Sequence, residues 1–90
     1  MAKVTKEQLA DLIKREKVLV VTLFRDKCEE ADSGKTAWAV WAQTYDEREA
    51  HVMVAGRGPS QGKQRYYTSL DRAYDAIREM GFRFMIHIDG

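Results

Sequence analysis

The chain has 90 residues, 44% of them hydrophobic, and a formal net charge of +1. This composition is typical of a folded globular protein and excludes an intrinsically disordered one, and the length fits a single domain over residues 1–90. The small net charge gives no overall attraction to nucleic acid or to an anionic membrane. The single cysteine, Cys28, excludes an intrachain disulfide and a cysteine-based metal site.

No stretch of the sequence suits a membrane or a secretory signal. The longest apolar run, residues 18–24, is far shorter than the roughly 20 residues that a helix needs to cross a bilayer. No segment has the charged start and apolar centre of a signal peptide. We therefore predict a cytoplasmic protein with no membrane partner.

The first predicted element is a helix within residues 4–17. Thr5 and Gln8 have the spacing of a capping box, and Val4 and Leu9 are placed for a hydrophobic staple. The apolar residues that follow form a narrow stripe. This stripe predicts a helix that lies with one face on a sheet.

Strands are predicted over the middle of the chain. Residues 18–24 are β-branched and almost wholly apolar, which indicates an interior strand covered on both faces. Residues 36–45 are ambiguous, because their alanines favour a helix whereas their Trp, Val and Thr residues favour a strand. We favour the strand and leave the helix open. Short strands are also predicted at residues 51–55 and 64–67.

The clearest pattern lies near the C-terminal end of the sequence. Thr68 is placed to cap a helix that runs to Met80, with Asp71 at the favourable end of the helix dipole and Gly81 as its stop. The apolar period then changes from 3.6 to 2 residues. That alternation predicts a strand with one buried face, which carries Phe82, Phe84, Ile86 and Ile88.

These elements follow the order α-β-β-β-β-α-β. One helix and one strand cannot bury their apolar faces alone, so all the elements must pack into common layers. We predict an α+β fold, with a mostly antiparallel sheet of four to five strands and two helices packed on it.

A basic, glycine-rich loop is the first candidate binding site. Residues 56–62 hold three glycines and the only proline, which predicts an exposed loop. The loop and the residues just after it carry three cations and two tyrosines, which are Arg57, Lys63, Arg65, Tyr66 and Tyr67. Cations beside an exposed tyrosine can contact phosphates and bases. The alternative is a solvated hairpin whose charges keep the protein soluble.

An aromatic series is the second candidate. If residues 36–45 form a strand, Trp38 and Trp41 face opposite sides of the sheet, and Tyr45 follows them. A two-layer fold buries only one of those sides unless helices cover both. An indole left outside would be a contact for a protein partner or a second copy. If helices cover both sides, both indoles are core residues.

No catalytic constellation stands out in the sequence. Ser33 to Thr36 resemble the end of a phosphate-binding loop, but Glu29 occupies the position of the required first glycine. His51 and His87 would need to meet a carboxylate or a metal in space. We therefore predict no enzymatic activity, no metal and no cofactor.

The function predicted from these observations is binding. We expect a small regulatory protein that acts through protein contacts, with self-association as one form of contact. The last strand, if it forms a sheet edge, offers a route for pairing with another chain. A module that binds DNA or RNA through the basic loop is the alternative.

Overall fold

A computed structural model describes residues 2–27, 36–45, 50–56, 58–59 and 61–89. The elements in chain order are β1 (Ala2–Val4), α1 (Lys6–Lys14), β2 (Val18–Lys27), β3 (Thr36–Thr44), β4 (Ala50–Met53), β5 (Tyr66–Tyr67), α2 (Leu70–Glu79) and β6 (Ile86–Asp89). The predicted α+β class is confirmed, and residues 36–44 form the strand rather than the alternative helix. No helix among the described residues is long and apolar enough to cross a membrane.

The strands form one sheet in the order β1-β4-β3-β2-β6, and β5 pairs with the end of β3 that β4 does not reach. The pairs of β3 with β2, β4 and β5 are antiparallel, whereas β1 on β4 and β6 on β2 are parallel. The described part of the sheet is therefore mixed and has six strands rather than four to five. The additional strand is β1, whose three residues are too few to give a readable alternation.

Both helices pack on the same face of the sheet. Leu9 and Ile13 of α1 and Ala73 and Ile77 of α2 belong to one core cluster. The sheet contributes to that cluster the inward residues of its central strands, which are Val21, Leu23, Val40, Ala42 and Met53. Among the described residues, helices therefore cover only one of the two faces that were predicted to be covered in residues 18–24. No described helix lies over the opposite face, and Phe24 on that face is only half-buried.

The start of α1 follows the prediction. Thr5 Oγ1 accepts a hydrogen bond from the Gln8 backbone N–H at 3.2 Å, and Gln8 Oε1 accepts one from the Thr5 N–H at 2.9 Å. This reciprocal pair is a capping box. Val4 and Leu9, the predicted staple residues, are both buried in the core cluster.

Helix α2 begins one residue later than predicted. Ser69 is its N-cap, and the Ser69 hydroxyl accepts a hydrogen bond from the Arg72 N–H at 3.2 Å. Two adjacent hydroxyl residues can fill this role, and sequence spacing alone does not choose between Thr68 and Ser69. Gly81 has a φ of 96° and follows the last turn, as predicted, because glycine adopts this left-handed conformation at low cost.

The strand predicted from Phe82 begins only at Ile86. Arg78 explains the delay, because its Nη1 donates hydrogen bonds to the carbonyl oxygens of Phe82 at 2.9 Å and Phe84 at 3.2 Å. Two carbonyl groups that a strand would offer to a neighbour are thus held by α2. The side chain of Phe82 is buried, whereas that of Phe84 is exposed.

Candidate protein-binding surface

The sheet ends at β6, which pairs on one side with β2 and has no other neighbour among the described strands. Around it lie three large apolar side chains, which are 61% exposed at Phe84, 74% at Met85 and 47% at Ile88. They are half of the six large hydrophobic residues that the described part of the chain exposes. We call Phe84, Met85 and the strand Ile86–Asp89 the C-terminal edge.

The exposure of Ile88 follows from its position in the sheet. Ile88 lies opposite Leu23, and Ile86 lies opposite Val21, so both isoleucines point toward the helix-covered face. Leu23 is fully buried because it lies inside the sheet, and Ile86 packs against the core cluster. Ile88 continues the same apolar face beyond the area that the helices cover.

Arg78 holds the segment before β6 in place. Its Nε and Nη2 donate hydrogen bonds to the Tyr74 hydroxyl at 3.1 and 2.9 Å, and its guanidinium lies 4.9 Å from the centre of the Tyr74 ring. Its Nη1 binds the carbonyls of Phe82 and Phe84. The Phe82 and Phe84 rings meet edge to face at 5.8 Å. Phe84 is therefore fixed through both its backbone and its ring while its outer surface faces water.

A groove of about 580 Å³ adjoins this segment. It runs between the second half of α1 and residues 79–84, and apolar side chains such as Ile13 and Phe82 line it. Charges of both signs stand among its lining residues, including Asp11, Lys14 and Arg83. Because Phe84 also lines the groove, the groove and the C-terminal edge form one continuous surface.

The aromatic residues predicted as protein contacts occupy three different environments. Trp38 lies opposite Tyr67 and packs against the core cluster. Trp41 is half-buried on the other face of the sheet, where its ring meets Phe24 edge to face at 4.7 Å. Tyr45 is 62% exposed just after β3. Since Trp38 and Trp41 lie on opposite faces, they do not form one patch.

Three of the residues predicted near the glycine-rich loop, Arg65, Tyr66 and Tyr67, contact neighbours in the same chain. Arg57 lies outside the described residues, and Lys63 is exposed. The Arg65 guanidinium lies 5.3 Å from the centre of the Tyr67 ring. The Tyr66 hydroxyl accepts a hydrogen bond from Gln64 Nε2 at 3.0 Å. These internal contacts compete with any use of the same groups for phosphates and bases.

Tyr67 has a clear electrostatic perturbation. Burial raises the pKa of its hydroxyl, the nearby Arg65 opposes that rise, and Glu79 adds to it. The Tyr67 hydroxyl oxygen is buried and has no hydrogen-bond partner in the described part of the chain. The group is therefore better suited to the neutral form than to a phenolate.

A second cavity, of about 670 Å³, lies where α1 begins. Lys6 and Arg65 give it positive charge, and Glu7 opposes them. The Thr5 and Gln8 N–H groups at this helix end are already used by the capping box. The cavity therefore offers fewer free donors to an anion than an uncapped helix start would.

The two histidines are not brought together. His51 is buried in β4 opposite Ala42, and His87 is exposed in β6, with β3 and β2 between the two strands. Neither histidine lines either of the two cavities. No group of three or more His, Cys, Asp or Glu residues within the described ranges could hold a metal ion.

Sequence reasoning missed the exposure of the C-terminal edge. The alternation placed Phe84 and Ile88 on a buried face. One signal was present, since residues 82–88 contain five apolar residues in seven positions. An edge strand with one covered face cannot bury that many, because alternate side chains point away from the core.

Comparisons with known proteins add no relative from which a function could be transferred. No family model, no curated protein and no solved structure matches the chain.

Proposed function

We propose that this chain is a non-catalytic protein-binding module that acts through its C-terminal edge. The observation that carries the proposal is the joint exposure of Phe84, Met85 and Ile88 at 61%, 74% and 47%. Soluble proteins leave single apolar residues exposed, but several large ones together at one open sheet edge are typical of an interaction site. Contact with another protein would bury these side chains, which the helices of this chain leave exposed to water.

The backbone of β6 supports the same function. An outermost strand has N–H and C=O groups that no neighbouring strand satisfies, and an added strand can bind them. The exposed apolar side chains lie in this strand and in the two residues before it. Main-chain pairing and apolar burial would therefore act on the same partner.

The fixed position of Phe84 lowers the cost of binding. Ordering a mobile side chain at an interface costs on the order of 1 kcal/mol. Here the hydrogen bonds from Arg78 to the Phe82 and Phe84 carbonyls already order the segment. More of the energy of apolar contact is then available for affinity.

A double variant tests the proposal. Phe84→Ser with Met85→Ser should abolish association, whether with a copurifying protein or with a second copy, and leave the fold intact because both side chains are exposed. Leu19→Ser with Tyr45→Ser is the matched control, since these residues are also exposed but lie elsewhere. Analytical ultracentrifugation and quantitative copurification are the measurements. Equal association by the two double variants would contradict the proposal.

The same protein can be tested for the alternative function. A gel shift on generic DNA and RNA is run at two salt concentrations, since phosphate contacts weaken steeply as salt rises. Binding that is lost when Arg57→Ala and Lys63→Ala are combined would favour a nucleic-acid-binding module. Binding that survives this pair of changes would rule out the basic loop as its site.

A further inference from the structure

Resting on the proposed function, we infer that the partner of the C-terminal edge is a second copy of this chain. The two copies join by antiparallel pairing of β6 with β6 about a two-fold axis, so that the two sheets become one. Such an interface uses the same patch twice. Its geometry follows from the register of β6 in the sheet.

The alternation of β6 restricts how two copies can pair. Ile86 and Ile88 point toward the helix-covered face, and His87 and Asp89 point toward the other face. In a continuous antiparallel sheet, directly opposed residues share a face. An isoleucine of one copy must therefore lie opposite an isoleucine of the other copy and not opposite a histidine. This requires the two-fold axis to pass midway between one residue and the same residue of the other copy.

We place the axis at His87, which pairs residues 86–88 of one copy with the same three residues of the other. Ile86 of each copy then faces Ile88 of the other, which makes two apolar pairs on the helix side. Met85, the most exposed of the large hydrophobic residues that the structure describes, then lies beside Asp89 of the other copy. An axis at Ile88 would leave Met85 beyond the paired stretch, still in water.

With histidine counted as neutral, charge does not oppose this association, and the two residues that face each other at the axis are both His87. The formal net charge of the chain is +1, so two copies repel each other only weakly. The acid in β6, Asp89, faces Met85 rather than itself when the axis lies at His87. Strand β1, the other edge of the sheet, has Lys3 at its centre, where a similar two-fold pairing would place two lysines face to face.

The apolar area is suited to a reversible dimer. Phe84, Met85 and Ile88 together expose on the order of 400 Å² in one copy, judged from the usual size of such side chains. Burial on both copies, with the backbone of the strands, gives an interface at the low end of specific complexes. We expect a dimer that dissociates on dilution.

Cysteine cross-linking tests the axis directly. In a Cys28→Ser background, His87→Cys places two thiols opposite each other, with Cα atoms about 5 Å apart, which is within disulfide range. Ile88→Cys places them on a diagonal about 7–8 Å apart, which is too far. We expect His87→Cys to form covalent dimer at least about tenfold faster than Ile88→Cys, with Leu19→Cys as the off-edge control.

Two results would overturn the inference. Faster cross-linking of Ile88→Cys than of His87→Cys would reject the axis at His87. If His87→Cys cross-links no faster than Leu19→Cys, and the protein is a monomer in ultracentrifugation at millimolar concentration, the second copy is rejected as the partner. Phe84→Ser with Met85→Ser separates these results from failure of the proposed function. If this double variant fails to bind a different protein that the unchanged chain binds, the proposed function stands and only the second copy is rejected as the partner.

Discussion

The two edge strands of the sheet are similar in length and pairing but differ in the side chains that they expose. Strand β1 has three residues, β6 has four, and each is parallel to its inner neighbour. At the β1 edge Val4 is buried and Lys3 exposes a charge. At the β6 edge Met85 and Ile88 expose apolar surface. Lys3 places a charge on one edge, which discourages strand pairing, whereas the other edge exposes large apolar side chains beside a single acid, Asp89.

The difference arises from what lies next to each edge in the chain. Strand β1 leads at once into the capping box of α1, and its Val4 carbonyl accepts a hydrogen bond from the Val54 N–H at 2.8 Å. Strand β6 is reached through residues 82–85, where Arg78 binds the carbonyl groups of Phe82 and Phe84. A short edge strand can thus be protected by local packing, as β1 is. It can also be left exposed, as β6 is, where a helix side chain binds the residues before the strand.

The largest effect is expected in the core beneath the edges. Phe82→Ala should lower the free energy of unfolding by about 3–5 kcal/mol, because a buried aromatic side chain leaves a large cavity. Val4→Ala at the other edge should cost roughly 1–2 kcal/mol, since less volume is removed. Urea unfolding at low protein concentration measures both. Equal losses would show that the segment before β6 is not anchored by Phe82.

Arg78→Met tests what holds the segment before β6. It removes the hydrogen bonds to Tyr74, Phe82 and Phe84. We expect a loss of about 1–3 kcal/mol and faster amide hydrogen exchange in residues 82–86. Arg72→Met on the exposed side of α2 is the matched control. The explanation fails if the two variants have the same stability and exchange rates.

Thr5→Ala tests the closure of the β1 edge. Loss of the hydroxyl that accepts the Gln8 N–H should cost about 1 kcal/mol of unfolding free energy. Thr5→Ser keeps that acceptor and should retain most of the stability. Thermal or urea unfolding distinguishes them. A serine variant as weak as the alanine variant would mean that the methyl group, not the cap, is responsible.

Tyr67→Phe, between the two edges, should have the smallest effect at neutral pH. It removes a buried hydroxyl without a partner in the described residues, so we expect a gain of up to about 1 kcal/mol.

The pH dependence has a defined sign. Because folding raises the pKa of Tyr67, its contribution to stability is complete below the unfolded value near 10 and is lost as pH rises through the higher folded value. Tyr67→Phe should therefore lose less stability above about pH 10 than the unchanged chain. Tyr45→Phe, at an exposed residue, is the control. An alkaline loss equal to that of the unchanged chain would contradict this role.

The helices were predictable because their signals are local. The capping box of Thr5 and Gln8 and the stop at Gly81 depend on residues a few positions apart, and the structure contains both. The strand at residues 36–44 was predicted from its residue types. Strand β1 was missed, because three residues give no periodicity and its pairing with β4 joins distant parts of the chain.

The C-terminal edge could not be derived from the sequence for a related reason. The two-residue apolar period of the sequence predicted correctly that Ile86 and Ile88 lie on the same face of the strand. The reach of the helices over that face, and the binding of Arg78 to two carbonyls, are tertiary features. Periodicity also placed Trp38 and Trp41 on opposite faces, but it could not say that both helices cover the side of Trp38.

Amide hydrogen exchange at rising protein concentration tests the central claim most directly. If the β6 edge pairs with a second copy, outward-facing amides within Ile86–Asp89 should become more protected as concentration increases, while those of Ala2–Val4 should not change. Protection that rises in β1, or in neither edge, would contradict the account.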